Sequence, residues 1–292
     1  MIPCVIIHVG DRPYLKINVE ITCKNNLLYF IGDDSCSYLQ QHPNCVFVNI
    51  SKYEKQWISD LEKHFVNYSS NSRIFEWLCF KRVFILKEFL KDYDLDSVFH
   101  MDSDNILLHD INKFHFTEKV AYLNSYPWKT TDMCSSIHCA LLNFEFCNVF
   151  EQLFKDIFVN KSRLELLNEK IDHHYVDKDR FVNGGVCDMT FYFLINKLEL
   201  VRVQNLMEEV LFKDDDVYLN TFMNNYGVAE GVHSKEQFKM SNGVIEIEKH
   251  SNGDDNLLTD INTGKQIRVW NIHFQGSNKS FMNESLKSRI NF

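Results

Sequence analysis

The sequence predicts an α/β protein in which strands and helices alternate to build a mixed sheet flanked by helices. Three observations carry this. Short apolar, β-branched runs recur in the first hundred residues, and each stops at a polar loop. Stretches of helical period lie between them. No repeat and no linker rich in Pro, Gly or Ser interrupts the 292 residues, of which 45% are hydrophobic, so one compact two-lobed domain over 1–292 is expected.

In chain order, residues 4–9, 27–31 and 45–50 read as buried strands, closed by Gly10-Asp11, Gly32-Asp33-Asp34 and Ser51. Between Phe75 and Leu90 the apolar positions Phe80, Val83, Phe84, Phe89 and Leu90 alternate with Lys81, Arg82 and Lys87, which is a helical period. Residues 98–101 and 120–124 are further strands, and 143–158 is a helix with Phe146, Phe150, Leu153, Phe154 and Ile157 on one face. A charged stretch covers 163–180, and Asn183-Gly184-Gly185 then breaks the chain before an apolar helix over 189–198. Asn242-Gly243, Asn252-Gly253-Asp254-Asp255 and Asn262-Thr263-Gly264 punctuate hairpins, and 268–274 is a closing strand. Ligands of such sheets sit outside the carboxyl ends of the strands, so the polar residues there are the first candidates for chemistry.

Charge and composition exclude several classes. Lys and Arg total 31 against 40 acids, a net charge of −9, and no basic stripe exists, so a nucleic-acid partner is not expected. The nine cysteines are odd in number, never spaced C-x-x-C, and set among apolar neighbours, which suits reduced thiols in a cytoplasmic location. No apolar run approaches the roughly 18–20 residues of a membrane helix, and the start lacks the basic and apolar regions of a secretory leader, so no membrane span is expected.

The sharpest motif is Asp102-Ser103-Asp104, delivered by the apolar strand before it. Two carboxylates one residue apart suit a hard cation such as Mg²⁺ or Mn²⁺, whose remaining positions are commonly filled by phosphate oxygens. Downstream, His273-Phe274-Gln275-Gly276 and then Lys279 offer an imidazole, a glycine allowing close backbone approach, and a cation.

Together these segments resemble the metal and diphosphate equipment of GT-A glycosyltransferases, whose fold is a Rossmann-like mixed sheet flanked by helices. The later segment is similar to the H-F-x-G-x-x-K box of the glycogenin and galactosyltransferase-like family. Glu76-Trp77-Leu78-Cys79-Phe80-Lys81-Arg82 resembles that family's aromatic-x-Arg helix. Asn183-Gly184-Gly185-Val186-Cys187-Asp188-Met189 resembles a segment of bacterial and large-virus glycosyltransferases. The resemblance implies a metal at Asp102, Asp104 and His273, and a UDP-sugar donor met by Arg82, Ser103, Gly276 and Lys279. It also implies a glycan acceptor and a catalytic carboxylate at Asp188. Residues 1–104 would form the nucleotide-sugar-binding lobe and 105–292 the acceptor-binding lobe, closed by the His273 segment.

Two departures stand out. Ser280-Phe281 replaces the usual Pro-Trp after the box, and Cys187 stands where inverting members carry Glu before the Asp. Asp188 suits a helix cap, a base that deprotonates an acceptor hydroxyl with inversion, or a carboxylate that supports the developing oxocarbenium charge in a retaining reaction, with a lean to inversion. Asp215 and Asp216, in a segment similar to the family's Asp-Gln-x-x-Leu-Asn, are its rivals. Asp33 and Asp34 are candidates for uracil or ribose contacts, and Asn183, Gly184 and Gly185 for an acceptor wall. Two other readings stay open: a haloacid-dehalogenase-like phosphatase, from Asp102-Ser103-Asp104-Asn105-Ile106, and a nucleotide-sugar-binding module without turnover.

Overall fold

The structure, a computed structural model, describes residues 1–114, 116–117, 119–125, 132–177, 180–181, 184–206, 210–211, 219–221, 224–225, 233–234, 238–241, 244–249 and 256–290. The chain begins β1 (Cys4–His8), α1 (Pro13–Thr22), β2 (Leu28–Gly32), β3 (Cys45–Asn49), α2 (Gln56–His64) and α3 (Arg73–Asp92). It continues β4 (Ser97–Met101), β5 (Asn105–Leu107), β6 (Ala121–Ser125), β7 (Ser135–Asn143), α4 (Phe144–Phe154), α5 (Asn168–His174) and α6 (Asp188–Lys197), and closes with α7 (Glu284–Arg289). The largest sheet has seven strands in the order Val203–Asn205, β6, β7, β4, β1, β2, β3. β4, β1, β2 and β3 pair in parallel and β6 with β7 antiparallel, so the sheet is mixed, as expected. The chain divides into two compact units, one of Met1–Asn49, Phe99–Phe116 and Asn205–Phe292, the other of Ile50–Val98 and Thr117–Gln204.

In the first unit, Cys4, Leu28 and Cys45 stand side by side across β1, β2 and β3, and every described side chain from Cys4 to Ile7 is buried. α1 starts at Pro13, whose fixed φ and missing N–H suit a first helical turn. Its Ile17 and Ile21 pack with Ile106 and Leu108, with Ile272 and Phe274, and with Leu286 of α7. The closing strand expected over 268–274 is two strands. Gln266–Val269 pairs with Asn256–Thr259, whereas Asn271–His273 pairs with β5. The change of partner falls at Trp270, buried against His109 at 5.4 Å and Phe114 at 5.5 Å. The hairpin expected at Asn262-Thr263-Gly264 is present, with Gly264 at φ +68° donating its N–H to the Asp260 carbonyl at 2.8 Å. Those at 242–243 and 252–255 lie outside the described residues.

The second unit is held by aromatic packing of α3, α4 and α6. Phe80 meets Phe191 edge-on at 4.9 Å and 89°, and Phe84 meets Phe154 at 5.4 Å and 88°, geometries that add to the free energy of burial. The helix expected over 143–158 begins as α4 and continues as a wider π turn, Lys155–Val159, which lays Phe158 flat on Phe191 at 5.7 Å. The charged stretch 163–180 contains α5 and the paired strands Tyr175–Asp177 and Arg180–Phe181. All nine cysteines are free thiols, and among the described residues no helix is long and apolar enough to cross a membrane.

Candidate active site

The first unit joins the Asp102-Ser103-Asp104 and His273 motifs, which lie far apart in the sequence. β4 ends at Met101, residues 102–104 turn, and β5 runs back antiparallel to Asn271–His273 with His273 opposite Asn105. The pairing is extended by the Phe274 N–H, which donates to the Asp104 carbonyl at 2.8 Å. His273 Nε2 therefore lies 3.4 Å from Asp104 Oδ1, and Lys279 Nζ lies 3.0 Å from Oδ2. One ligand atom from each of Asp102, Asp104 and His273 falls within 4.8 Å of the others. Burial by itself would push the Asp104 carboxyl up, but the hydrogen bond and charge of His273 and the charge of Lys279 outweigh it and hold it below the usual range. Asp104 is thus ionised at neutral pH while 7% exposed. Two carboxylates and one imidazole suit Mg²⁺ or Mn²⁺, so the residues present fit a divalent cation.

Around this cluster, Lys279 sits on the 3₁₀ turn Gly276–Phe281, 5.9 Å from the ring centre of Tyr14. Gly276 begins that turn at φ +63°, where a Cβ would meet nothing within 4 Å, so the left-handed backbone rather than crowding calls for glycine. Ser103 is buried, with its hydroxyl 2.9 Å from His8 Nδ1 and 3.4 Å from Tyr14 Oη, and so fastens the turn to β1 and α1. Burial holds the His8 imidazole below its ordinary value. Asp33 accepts from the Gly10 N–H at 2.7 Å and from the Ser35 N–H at 3.0 Å, and Asp34 accepts from Asn49 Nδ2 at 2.6 Å. Both acids tie together the loops after β1, β2 and β3.

A second polar group lies in the other unit, where α3 meets the start of α6. Asp188 is the first residue of α6 and Cys187 is its cap, so the capping role considered for Asp188 falls one residue earlier. Asp188 Oδ2 accepts from Arg82 Nη2 at 3.0 Å and from Tyr192 Oη at 3.0 Å, and Oδ1 accepts from the Met189 N–H at 2.9 Å. The Asp188 and Arg82 side chains are 6% and 15% exposed, so this is a buried ion pair at a helix N-terminus. Gly185 is at φ +112°, and a Cβ there would lie 2.2 Å from the Tyr68 carbonyl. This close approach is fixed by the Val186 N–H donating to that carbonyl at 2.8 Å and by Ser70 N–H donating to Gly184 O at 2.7 Å.

Sequence reasoning missed Glu76. It is 1% exposed, its Oε1 accepts from Ser69 Oγ at 2.8 Å and Asn71 Nδ2 at 2.7 Å, and its Oε2 has no hydrogen-bond partner. Burial pushes its carboxyl above the ordinary range. One ligand atom each of Glu76, Cys187 and Asp188 also lies within a 4.8 Å group, but burial pushes the Cys187 thiol up to about 12 and Asp188 is paired with Arg82. The signal was available: Glu76 falls on the helical stripe of Phe80, Val83 and Phe84, where a carboxylate has no place without a specific reason. Asn183, Asp215 and Asp216 lie outside the described residues.

Mouse xyloside xylosyltransferase 1, in its apo form, superposes with a TM-score of 0.52 at 11% identity, covering 78% of this chain and 88% of that one. The fold is GT-A-like, a mixed sheet flanked by helices. Two other solved glycosyltransferases are more loosely similar. GlyE of Streptococcus pneumoniae TIGR4 is 16% identical over 70% of this chain and 45% of that one, with a TM-score of 0.36. A glycosyltransferase involved in glycosylation of the major capsid of PBCV-1 is 11% identical over 98% and 100%, with a TM-score of 0.36. No protein-family model matches the chain, and no curated protein sequence does.

Proposed function

We propose that this chain is a metal-dependent glycosyltransferase that moves a sugar from a nucleoside diphosphate sugar, UDP-linked, to a hydroxyl of a glycan acceptor. The observation that carries the proposal is the convergence of Asp102, Asp104 and His273 on one point, with the Lys279 ammonium 3.0 Å from Asp104, on a GT-A-like fold. A haloacid-dehalogenase-like phosphatase would need a different fold, and that reading is not retained.

On this proposal, Asp102, Asp104 and His273 hold Mn²⁺ or Mg²⁺, which supplies positive charge for the departing diphosphate. Lys279, 3.0 Å from Asp104, would add a second positive charge for the diphosphate. Gly276 supplies the left-handed backbone at the start of the turn that carries Lys279, and Ser103 keeps the two aspartates in register through His8 and Tyr14. From the sequence resemblance, Arg82 is assigned to the donor and Asp188 is the catalytic carboxylate. If Asp188 is the base, it takes the acceptor hydroxyl proton as the sugar–oxygen bond forms and the sugar–phosphate bond breaks, with inversion. Its carboxylate is already engaged by Arg82, Tyr192 and the Met189 N–H, so this role requires it to exchange one of these contacts for the acceptor hydroxyl.

Thermal unfolding with UDP, with and without Mn²⁺, tests the donor site. A ligand at a hundred times its dissociation constant adds about 2.7 kcal/mol. The proposal requires a shift that needs both UDP and Mn²⁺ and disappears in Asp104→Ala. The same shift in Asp104→Ala, or none in the natural chain with any nucleotide, would refute it.

A further inference from the structure

α1 contributes more than a packing face to the first unit. Asn18 and Thr22 lie one turn apart on it, Asn26 follows four residues beyond its end, and the three are buried at 0%, 0% and 3% exposure. Asn18 Nδ2 donates to the carbonyls of Ser103 at 2.7 Å and Asn105 at 2.8 Å, the residues on either side of Asp104. The carbonyl between them, that of Asp104, accepts from the Phe274 N–H at 2.8 Å. Three consecutive carbonyls of the turn are therefore held, two of them by one side-chain amide.

The orientation of that amide is itself determined. Thr22 Oγ1 donates to Asn18 Oδ1 at 2.9 Å and accepts from the Leu107 N–H at 3.3 Å, so the Asn18 oxygen faces Thr22 and its NH₂ faces the turn. Asn26 continues the row but serves a later segment, donating to the His109 carbonyl at 2.9 Å and accepting from the Ile111 N–H at 2.9 Å. A buried amide without partners costs free energy, so the row is stable only while the 103–111 backbone keeps its course.

We propose that Asn18 is a positioning residue for the cation site. By clamping the carbonyls on both sides of Asp104, with Thr22 fixing its rotamer, it aims the Asp104 carboxylate at the point shared with Asp102 and His273. The inference rests on the donor-site reading above. Asn18 touches neither cation nor donor. It sets the geometry of a residue that does, and the cost of such a contact is in cation affinity as well as in stability.

The test is Mn²⁺ binding in the presence of UDP, followed by electron paramagnetic resonance well below each variant's unfolding temperature. Four chains are compared: the natural one, Asn18→Ala, Thr22→Val and Asn26→Ala. Loss of an orienting contact typically weakens metal binding about 10–100-fold. We expect a loss in this range for Asn18→Ala and a smaller loss for Thr22→Val, which frees the amide without deleting it. Asn26→Ala unfolds at lower temperature but keeps the natural affinity. Natural affinity in both Asn18→Ala and Thr22→Val, or an equal loss in all three, overturns the positioning role. If Asn18→Ala does not fold, Thr22→Val against Asn26→Ala decides. Failure of the natural chain to bind Mn²⁺ with UDP overturns the cation site itself and is told apart by that chain alone.

Discussion

Breaking the Arg82–Asp188 pair has a cost that can be worked from its surroundings. Asp188→Leu removes the carboxylate that accepts from Arg82, Tyr192 and the Met189 N–H, and leaves a guanidinium in a side chain only 15% exposed. Removing one partner of a buried ion pair costs about 3–5 kcal/mol, and the Tyr192 hydroxyl loses an acceptor in the same network. At about 2 °C per kcal/mol for a chain of this size, the midpoint falls about 6–10 °C. Arg82→Met leaves Asp188 with the Tyr192 hydroxyl and the helix N-terminus, so its cost is smaller. Arg82→Met with Asp188→Leu removes both charges and recovers stability relative to Asp188→Leu alone. Urea unfolding of the four chains closes the cycle. Single-variant costs below about 1 kcal/mol, or a double variant equal to the sum of the singles, would refute the account of this pair as a coupled buried contact.

Other consequences follow for the same unit. Burial raises the Glu76 carboxyl above its ordinary value, so the native state holds its proton to higher pH than the unfolded chain does. Its contribution is fully present below the unfolded value and is lost as pH rises through the raised one. In Glu76→Gln that loss is absent, and denaturant unfolding from pH 4 to 8 should show the variant gaining on the natural chain as pH rises; parallel curves would exclude the effect. Gly185→Ala places a methyl group 2.2 Å from the Tyr68 carbonyl at φ +112°, whereas Gly184→Ala at φ +116° meets nothing within 4 Å. Both carry backbone strain of about 1–3 kcal/mol, and the Gly185 variant must unfold at the lower temperature of the two.

The parts of this protein that were legible in the sequence are those written in local pattern. The parallel strands β1 to β4 show as apolar runs closed by polar loops, and α3 shows as a stripe of Phe80, Val83 and Phe84. The Asp102-Ser103-Asp104 and His273 segments were recognisable separately. What joins them, the antiparallel pairing of β5 with Asn271–His273, links residues 166 positions apart and leaves no local trace; the Asn271–Asn105 side-chain bond lies across it. α1 was missed because Ile17, Val19, Ile21 and Thr22 are β-branched and Asn18 interrupts its apolar face. The residue that hid the helix is the one the turn requires. Glu76 carries no role in the sequence reading beyond opening the Glu76–Arg82 segment, although its place on the buried stripe marks it.

The central claim is transfer from a UDP-sugar that depends on the Asp104 site. Release of UDP should therefore be measured from UDP-glucose, UDP-galactose, UDP-xylose and UDP-N-acetylglucosamine, with and without Mn²⁺, using the natural chain and Asp104→Ala. The account expects Mn²⁺-dependent release from at least one donor by the natural chain and loss of that release in Asp104→Ala. Release that persists in Asp104→Ala, or tight Mn²⁺–UDP binding with no release from any donor, would contradict it, the second outcome leaving a binding module in place of an enzyme.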